Sequence, residues 1–267
     1  MKRWLSQLLA PALLFAALLA GWEGYVRLDG VPATILPTPS RILHASWQSA
    51  DVIRWHATQT LLETLAGFTL AVVVALLCAT AIDFSAVARN ALLPLLIASQ
   101  TVPIIALAPL LVLWFGYGAL PKALVVALVC FFPMVVAATH GLRAAEPDLI
   151  KLYRSFGASR RQIFWHVRIP TALPVFFAGV RIAITYSVIG AVFGEYVGAA
   201  RGLGIFLQTA KNSYRTDLVF SMILVTASLS LALYGLAIVV ERVTIPWARA
   251  STTGAMFDTD QRQGPGG

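Results

Sequence analysis

The sequence predicts an all-α, polytopic membrane protein with six transmembrane helices and one long cytoplasmic loop. Three observations carry this. Of 267 residues, 58% are hydrophobic and only 12% are charged, with a mean hydropathy of +0.78. A soluble domain carries about 25% charged residues, so this chain cannot cover a water-facing surface. The apolar residues fall into six stretches that can each cross a hydrocarbon core about 30 Å thick, which takes roughly 20 residues. The most basic interval between two such stretches runs from Arg143 to Arg168, between the fourth and the fifth. The apolar stretches are too evenly spread to leave room for a separate soluble domain. Residues 1–250 are therefore read as a single transmembrane domain, with an N-terminal helix at 4–22 and a core at about 58–245.

The first span lies between Arg3 and Glu23. A signal peptide has the same basic start. This apolar part is long for one and no clear A-x-A site follows, which favours a retained helix. Residues 28–57 are mixed. Leu36-Pro37-Thr38-Pro39-Ser40 reads as a rigid turn, with Ser40 capping an amphipathic helix, RILHASWQSADVIRW, on the outer surface. Trp47 and Trp55 suit a membrane interface. The second span is 64–82, between Glu63 and Asp83.

The third span lies within 90–121, an uncharged run interrupted by Pro94, Pro103 and Pro109, with Gln100 and Thr101 just before Pro103. Proline removes a backbone donor and kinks a helix. Irregular backbone at membrane depth is tolerated only inside protein or beside a water-filled cavity, and broken helices mark transport sites. Gln100, Thr101 and Pro103 are therefore pathway candidates. The competing explanation is that proline is simply commoner in membrane helices. Phe115-Gly116-Tyr117-Gly118, with Pro121, reads as a tight outer turn. The fourth span is 123–142, the fifth about 174–195 and the sixth 218–240. Arg181, roughly two turns into the fifth, can snorkel to the inner face. The tail 251–267 is rich in Ser, Thr, Gly and Gln and is expected to be disordered.

Orientation follows from Lys and Arg. With the N-terminus inside, the inner segments hold twelve of the 20 basic residues, thirteen with Arg181, and the outer segments seven. Both termini and the basic loop are thus expected in the cytoplasm.

The fifth span carries two ridges of small residues at a spacing of four. One is Gly179, Ala183, Ser187, Ala191; the other runs Tyr186, Gly190, Gly194, Gly198. Such faces let helices approach closely, either as ordinary packing or as the wall of a pathway. Tyr186, Gly190 and Gly194 are pathway candidates. Glu195, at the outer end, joins them: a charge near membrane depth is costly and often functional. The alternative is that Glu195 sits at the interface in contact with water.

In the basic loop, Pro147 or Asp148 opens a helix, LIKLYRSF, with Leu149, Leu152, Tyr153 and Phe156 on one apolar face and Gly157 placed to end it. Ser159 then caps a second short helix, with Gln162 completing a capping box. Pro170 and Pro174 frame the entry into the fifth span. Two short helices hinged at Gly157, partly apolar and facing the cytoplasm, suit a docking surface for a partner. The other reading is a helix lying on anionic lipid.

The net charge of +8 is not accompanied by any basic run with interleaved aromatics, so nucleic-acid binding is not expected. Cys78 and Cys130 stand in separate apolar stretches, and the four histidines show no ligand spacing. No metal site and no catalytic set is read, and an enzyme would need a convergent His, Asp or Glu cluster.

Gly157-Ala158-Ser159, then Val167, Ile169 and Pro170, followed by Ala172-Leu173-Pro174, resembles the cytoplasmic loop of bacterial ABC importer permeases. Leu36-Pro37-Thr38-Pro39, Pro103 to Pro109, Phe115 to Gly118, Gly179-Val180-Arg181 and Gly202-Leu203-Gly204 resemble the sulfonate/taurine/nitrate group, over roughly residues 30–245. Within it, Ser187–Gly198 (SVIGAVFGEYVG) looks closest to permeases linked to thiamine-precursor pyrimidines or riboflavin, with sulfonate, taurine or nitrate as the alternative. The resemblance implies that the loop helix is a coupling helix that enters a cleft on a separate ATPase. The coupling residues would be Lys151, Leu152, Tyr153, Phe156, Gly157, Ala158 and Ser159. The family's EAA triplet falls on Lys151-Leu152-Tyr153, so its acid is replaced by a base and that contact must differ.

No G-x-x-x-x-G-K-[ST] is present, so this chain itself would bind no cofactor. ATP and Mg would sit on a partner ATPase dimer. The other implied partners are an extracellular or periplasmic substrate-binding protein, a second permease copy (a homodimer) and the lipid bilayer of the bacterial inner membrane. The rival class, a secondary transporter, would show inverted repeats and intramembrane acids, and no repeat is seen.

Overall fold

The computed structural model describes residues 2–247, and among these every regular element is helical. The expected disorder of 251–267 falls outside the described residues. Eleven helices follow one another: α1 (Lys2–Leu28), α2 (Pro39–Gln48), α3 (Ala50–Phe84), α4 (Ala86–Ser99), α5 (Ile104–Phe115), α6 (Ala119–Arg143), α7 (Pro147–Ser155), α8 (Arg160–Ile163), α9 (Ile169–Gly198), α10 (Leu203–Asn212) and α11 (Thr216–Thr244). A π-helical turn, Phe164–Arg168, joins α8 to α9.

Five helical stretches are long and apolar enough to cross a membrane: Leu9–Leu28, α3, α6, the run Arg160–Gly198 and α11. The third predicted span is the pair α4 and α5. The break falls at Gln100–Pro103, where Pro103 lacks an N–H and sets the start of α5. Pro94 and Pro109 are absorbed within α4 and α5.

Helix α6 forms the centre, packed along α9 on one side and α3 on the other. The seams are built from small residues. Ala71, Ala75 and Ala79 of α3 are buried at a spacing of four, and so are Gly179, Ala183, Ser187 and Ala191 of α9. A side chain at Gly67 would collide with the Ala123 carbonyl of α6. Lipid is as apolar as leucine, so such helices gain from close packing rather than from leaving water.

Several boundaries differ from expectation. Thr38, not Ser40, caps α2: its hydroxyl accepts from the Arg41 N–H at 3.3 Å. Ser40 is engaged elsewhere, donating its N–H (3.0 Å) and hydroxyl (2.7 Å) to Glu23 of α1. The expected outer helix also stops at Gln48, and α3 starts at Ala50 and runs for 35 residues. Glu63 and Lys122 mark span limits in the sequence, yet both are buried inside the bundle. Each is tolerated because the other lies 3.5 Å away. Arg181 does not snorkel freely but pairs with Glu241 of α11 at 3.2 Å.

Candidate functional site

At the loop end, α7 begins with Pro147 at its first position and Asp148 in its first turn, both favourable at a helix start. It ends in a Schellman arrangement. The Ala158 N–H donates to the Tyr153 carbonyl (3.0 Å) and the Gly157 N–H to that of Arg154 (2.9 Å). Gly157 has φ +79° and nothing within 4 Å of where a Cβ would stand. Glycine is needed there for its backbone conformation, not for space.

Ile150, Tyr153 and Ala158 pack against buried Ala145, Ile163 and Val167. Tyr153 thus faces inward, while Leu149, Leu152 and Phe156 face out, Phe156 being 81% exposed. Lys151 is exposed and paired with Asp148 at 2.8 Å. The Ser159 capping box forms: the Gln162 N–H reaches the Ser159 hydroxyl (3.3 Å), and the Ser159 N–H reaches Oε1 of Gln162 (2.7 Å).

The second loop helix is not separate, which departs from the expected pair of short helices hinged at Gly157. From Arg160 the chain is helical without a gap to Gly198, and Pro170 and Pro174 lie inside this run. Prolines survive there because Pro170 sits at the start of the α-helix and the preceding π-turn already displaces the local hydrogen bonds. The turn also directs Arg168 onto Asp83 of α3, forming an ion pair.

At the opposite end, Glu195 is fully buried. Its Oε1 accepts from the Thr60 hydroxyl (2.7 Å) and its Oε2 from the Gly204 N–H (2.6 Å). Thr60 also accepts from the Leu203 N–H (2.9 Å), and Nδ1 of His56 from the Gly202 N–H (3.1 Å). Arg201 donates to the Trp55 carbonyl (2.7 Å) and lies over its ring at 4.4 Å. The Arg201–Gly204 loop is thereby stitched to α3. A side chain at Gly202 (φ +141°) would run into the Glu195 carboxylate, which explains why an acid and this glycine loop occur together. Beside this cluster Glu63 accepts from Gln59 (2.8 Å) and pairs with Lys122, with one of its oxygens left without a partner.

The pathway candidates separate into three places. Gln100, Thr101 and Pro103 lie exposed at the α4–α5 break. Gln100 and half-exposed Tyr186 line a cleft of about 520 Å³, together with Val102, Phe131, Phe132 and Ile182. Gly190 and Gly194 instead face α6, within 3.2 Å of Val129 and Lys122 respectively for an added Cβ. Glu195 belongs to the buried cluster. Glu63, Lys122 and Thr60 were not singled out from the sequence. Their signal was present: Glu63 and Lys122 are opposite charges bordering apolar spans, which reads equally well as two span ends.

An all-helical bundle with repeated spans, a broken helix beside a cleft and a protruding loop helix defines a multi-pass inner-membrane transport component. A family model for the binding-protein-dependent transport system inner membrane component matches residues 67–245, and the chain belongs to that family. It is 38% identical to a probable ABC transporter permease protein of Haemophilus influenzae, over 85% of this chain and 93% of that one. It is 34% identical to the formylaminopyrimidine transport permease protein ThiX of Halalkalibacterium halodurans, over 91% and 97%. It is 38% identical to the riboflavin transport system permease protein RibX of Chloroflexus aurantiacus, over 86% and 87%. The last two names match the group that Ser187–Gly198 resembles.

Proposed function

We propose that this chain is the translocating subunit of an ATP-driven importer for a neutral heteroaromatic nutrient, a thiamine-precursor pyrimidine or a flavin. One observation carries the substrate class. The cleft at the broken helix is lined by aromatic and aliphatic side chains with the Ser99 hydroxyl and Gln100 amide, and among the described residues no charged side chain borders it. A planar ring system can stack on Phe131, Phe132 and Tyr186 while its ring nitrogens and carbonyls pair with the amide. A sulfonate or nitrate anion would enter this cleft without a counter-charge. The similarity to the ThiX and RibX proteins supports the same class.

In this reading two copies of the chain surround the pathway, and the ATPase dimer docks on the outward face of α7. A binding protein delivers substrate at the end that carries Glu195 and Arg201. ATP-driven closure of the ATPases moves the loop helices as rigid bodies, and the pair alternates its access.

The test is reconstitution of the chain with its ATPase and binding protein in liposomes, with uptake of labelled formylaminopyrimidine, riboflavin and taurine measured side by side. ATP-dependent uptake of the pyrimidine or the flavin is expected, with KM raised by Gln100→Ala. Taurine uptake alone would sink the substrate class. Uptake driven by an ion gradient without any co-purifying ATPase would sink the importer reading.

A further inference from the structure

We infer that the loop end of this protein holds a built site for one anionic phospholipid, its phosphate in an arginine-lined cleft and an acyl chain in the adjoining apolar groove. This is independent of which nutrient is carried.

The cleft has two connected parts, of about 210 and 370 Å³, which share Asp83, Arg154 and Arg168. Arg160 lines the first, and Arg89, Arg143 and Lys151 the second. Six basic side chains therefore converge on one acid, Asp83. Asp83 is already engaged by Arg168, and Lys151 by Asp148. Among the described residues, no carboxylate lies within salt-bridge distance of Arg89, Arg143, Arg154 or Arg160. The Nε–H of Arg89 is buried and finds no acceptor among the described residues, although a terminal nitrogen of the same group reaches the Ile82 carbonyl at 3.4 Å. An unmet buried guanidinium donor calls for an oxygen-rich anion.

The groove decides which anion. An apolar cavity of about 390 Å³ lies beside the cleft, sharing Phe164 with its first part and Leu142 with its second, between α3, α6 and α9 and past Leu76, Trp165, Ile169 and Leu173. Phe164 forms a wall of both cleft and groove and stacks on Phe84 at 4.8 Å. Phe84 and Trp165 are about half exposed, as expected of aromatic side chains at headgroup depth. A phosphate beside a membrane-level apolar slot matches a lipid, and basic pockets between helices near the cytoplasmic surface take such headgroups. An acidic peptide or a free phosphate would leave the groove unused.

The test uses the chain purified with its partner ATPase in neutral detergent. Retention of phosphatidylglycerol and phosphatidylcholine with matched chains is measured by native mass spectrometry. Phosphatidylglycerol should be retained over phosphatidylcholine by about tenfold, because the arginines meet a net-anionic headgroup in the first and a zwitterionic one in the second. The double variant Arg154→Gln/Arg160→Gln changes exposed residues only and should bring the preference close to unity. Leu173→Trp, which fills the groove, should lower retention of both lipids. Equal retention of the two lipids by the unaltered complex would overturn the inference, as would a preference that survives the arginine changes. Displacement of the lipid by millimolar inorganic phosphate would assign the cleft to a free anion instead. A preference seen with the permease alone but abolished by the ATPase would assign the arginines to acidic groups of that partner.

Discussion

Thr60 is the side chain whose loss the structure prices most clearly. It is fully buried, donates its hydroxyl proton to Glu195 and accepts from the Leu203 N–H. Thr60→Val keeps the shape and removes both bonds. A buried hydrogen bond is worth about 0.5–1.5 kcal/mol net, and an orphaned buried N–H costs about 1–3 kcal/mol. The two together come to about 1.5–4.5 kcal/mol. For a chain of this size each kcal/mol moves Tm by about 2–4 °C, so a fall of about 3–18 °C is expected. Thermal unfolding of the purified complex, followed by fluorescence-detected size exclusion, measures it. Thr60→Ser keeps the hydroxyl and loses one methyl, worth about 1 kcal/mol, and should stay within a few degrees of the parent. A Thr60→Val protein as stable as the parent would refute the reasoning. So would a serine variant that falls as far as the valine one, since the hydroxyl would then not be what matters.

Three further outcomes are expected. Gly157→Pro, at a φ of +79° that proline cannot adopt, should leave membrane insertion intact while ATP hydrolysis continues without uptake; wild-type uptake would count against the loop geometry. Gly194→Leu should sharply lower the yield of folded protein, because any Cβ there already lies 3.2 Å from Lys122 Cα; an unchanged size-exclusion profile would contradict the α6–α9 seam. Arg168→Ala leaves the buried Asp83 carboxylate unpaired and should cost about 3–5 kcal/mol, whereas adding Asp83→Asn should recover much of it in the same melting assay; no recovery would mean the pair is not the source of the loss.

Much of the basic loop is legible in the sequence because its signals are local. A proline at the helix start, a glycine at its end and a Ser159–Gln162 box each act within a few residues, and each sits where expected. The break at Gln100–Pro103 is local in the same sense. Pro94 and Pro109 show the limit: three prolines look alike in sequence, and only the packing around each decides which one interrupts a helix. The buried polar cluster was hidden for a different reason. Glu63 and Lys122 are 59 positions apart, and Thr60 is 135 positions from Glu195. A charge beside an apolar stretch looks like the end of a span unless its partner is known. Composition cannot supply that pairing.

The π-turn at Phe164–Arg168 changes what the loop can do mechanically. Without it, Pro170 would fall inside a regular α-helix and interrupt the run between α8 and the fifth span. With it, Arg160–Gly198 is one helical run of 39 residues, about 58 Å long at 1.5 Å per residue, roughly twice the thickness of a hydrocarbon core. Its loop end carries Ile163 and Val167, against which Ile150 and Tyr153 of α7 are packed. Its middle is pressed to α6 through glycines and alanines that leave no room to slip. Its opposite end holds Glu195, which accepts from the Gly204 amide and the Thr60 hydroxyl. A displacement of α7 that these contacts transmit would reach Glu195 along the same rod. Packed interfaces shift between discrete arrangements rather than deforming continuously. The hydrogen bonds at Thr60 and Gly204 are the contacts that such a shift must keep or break.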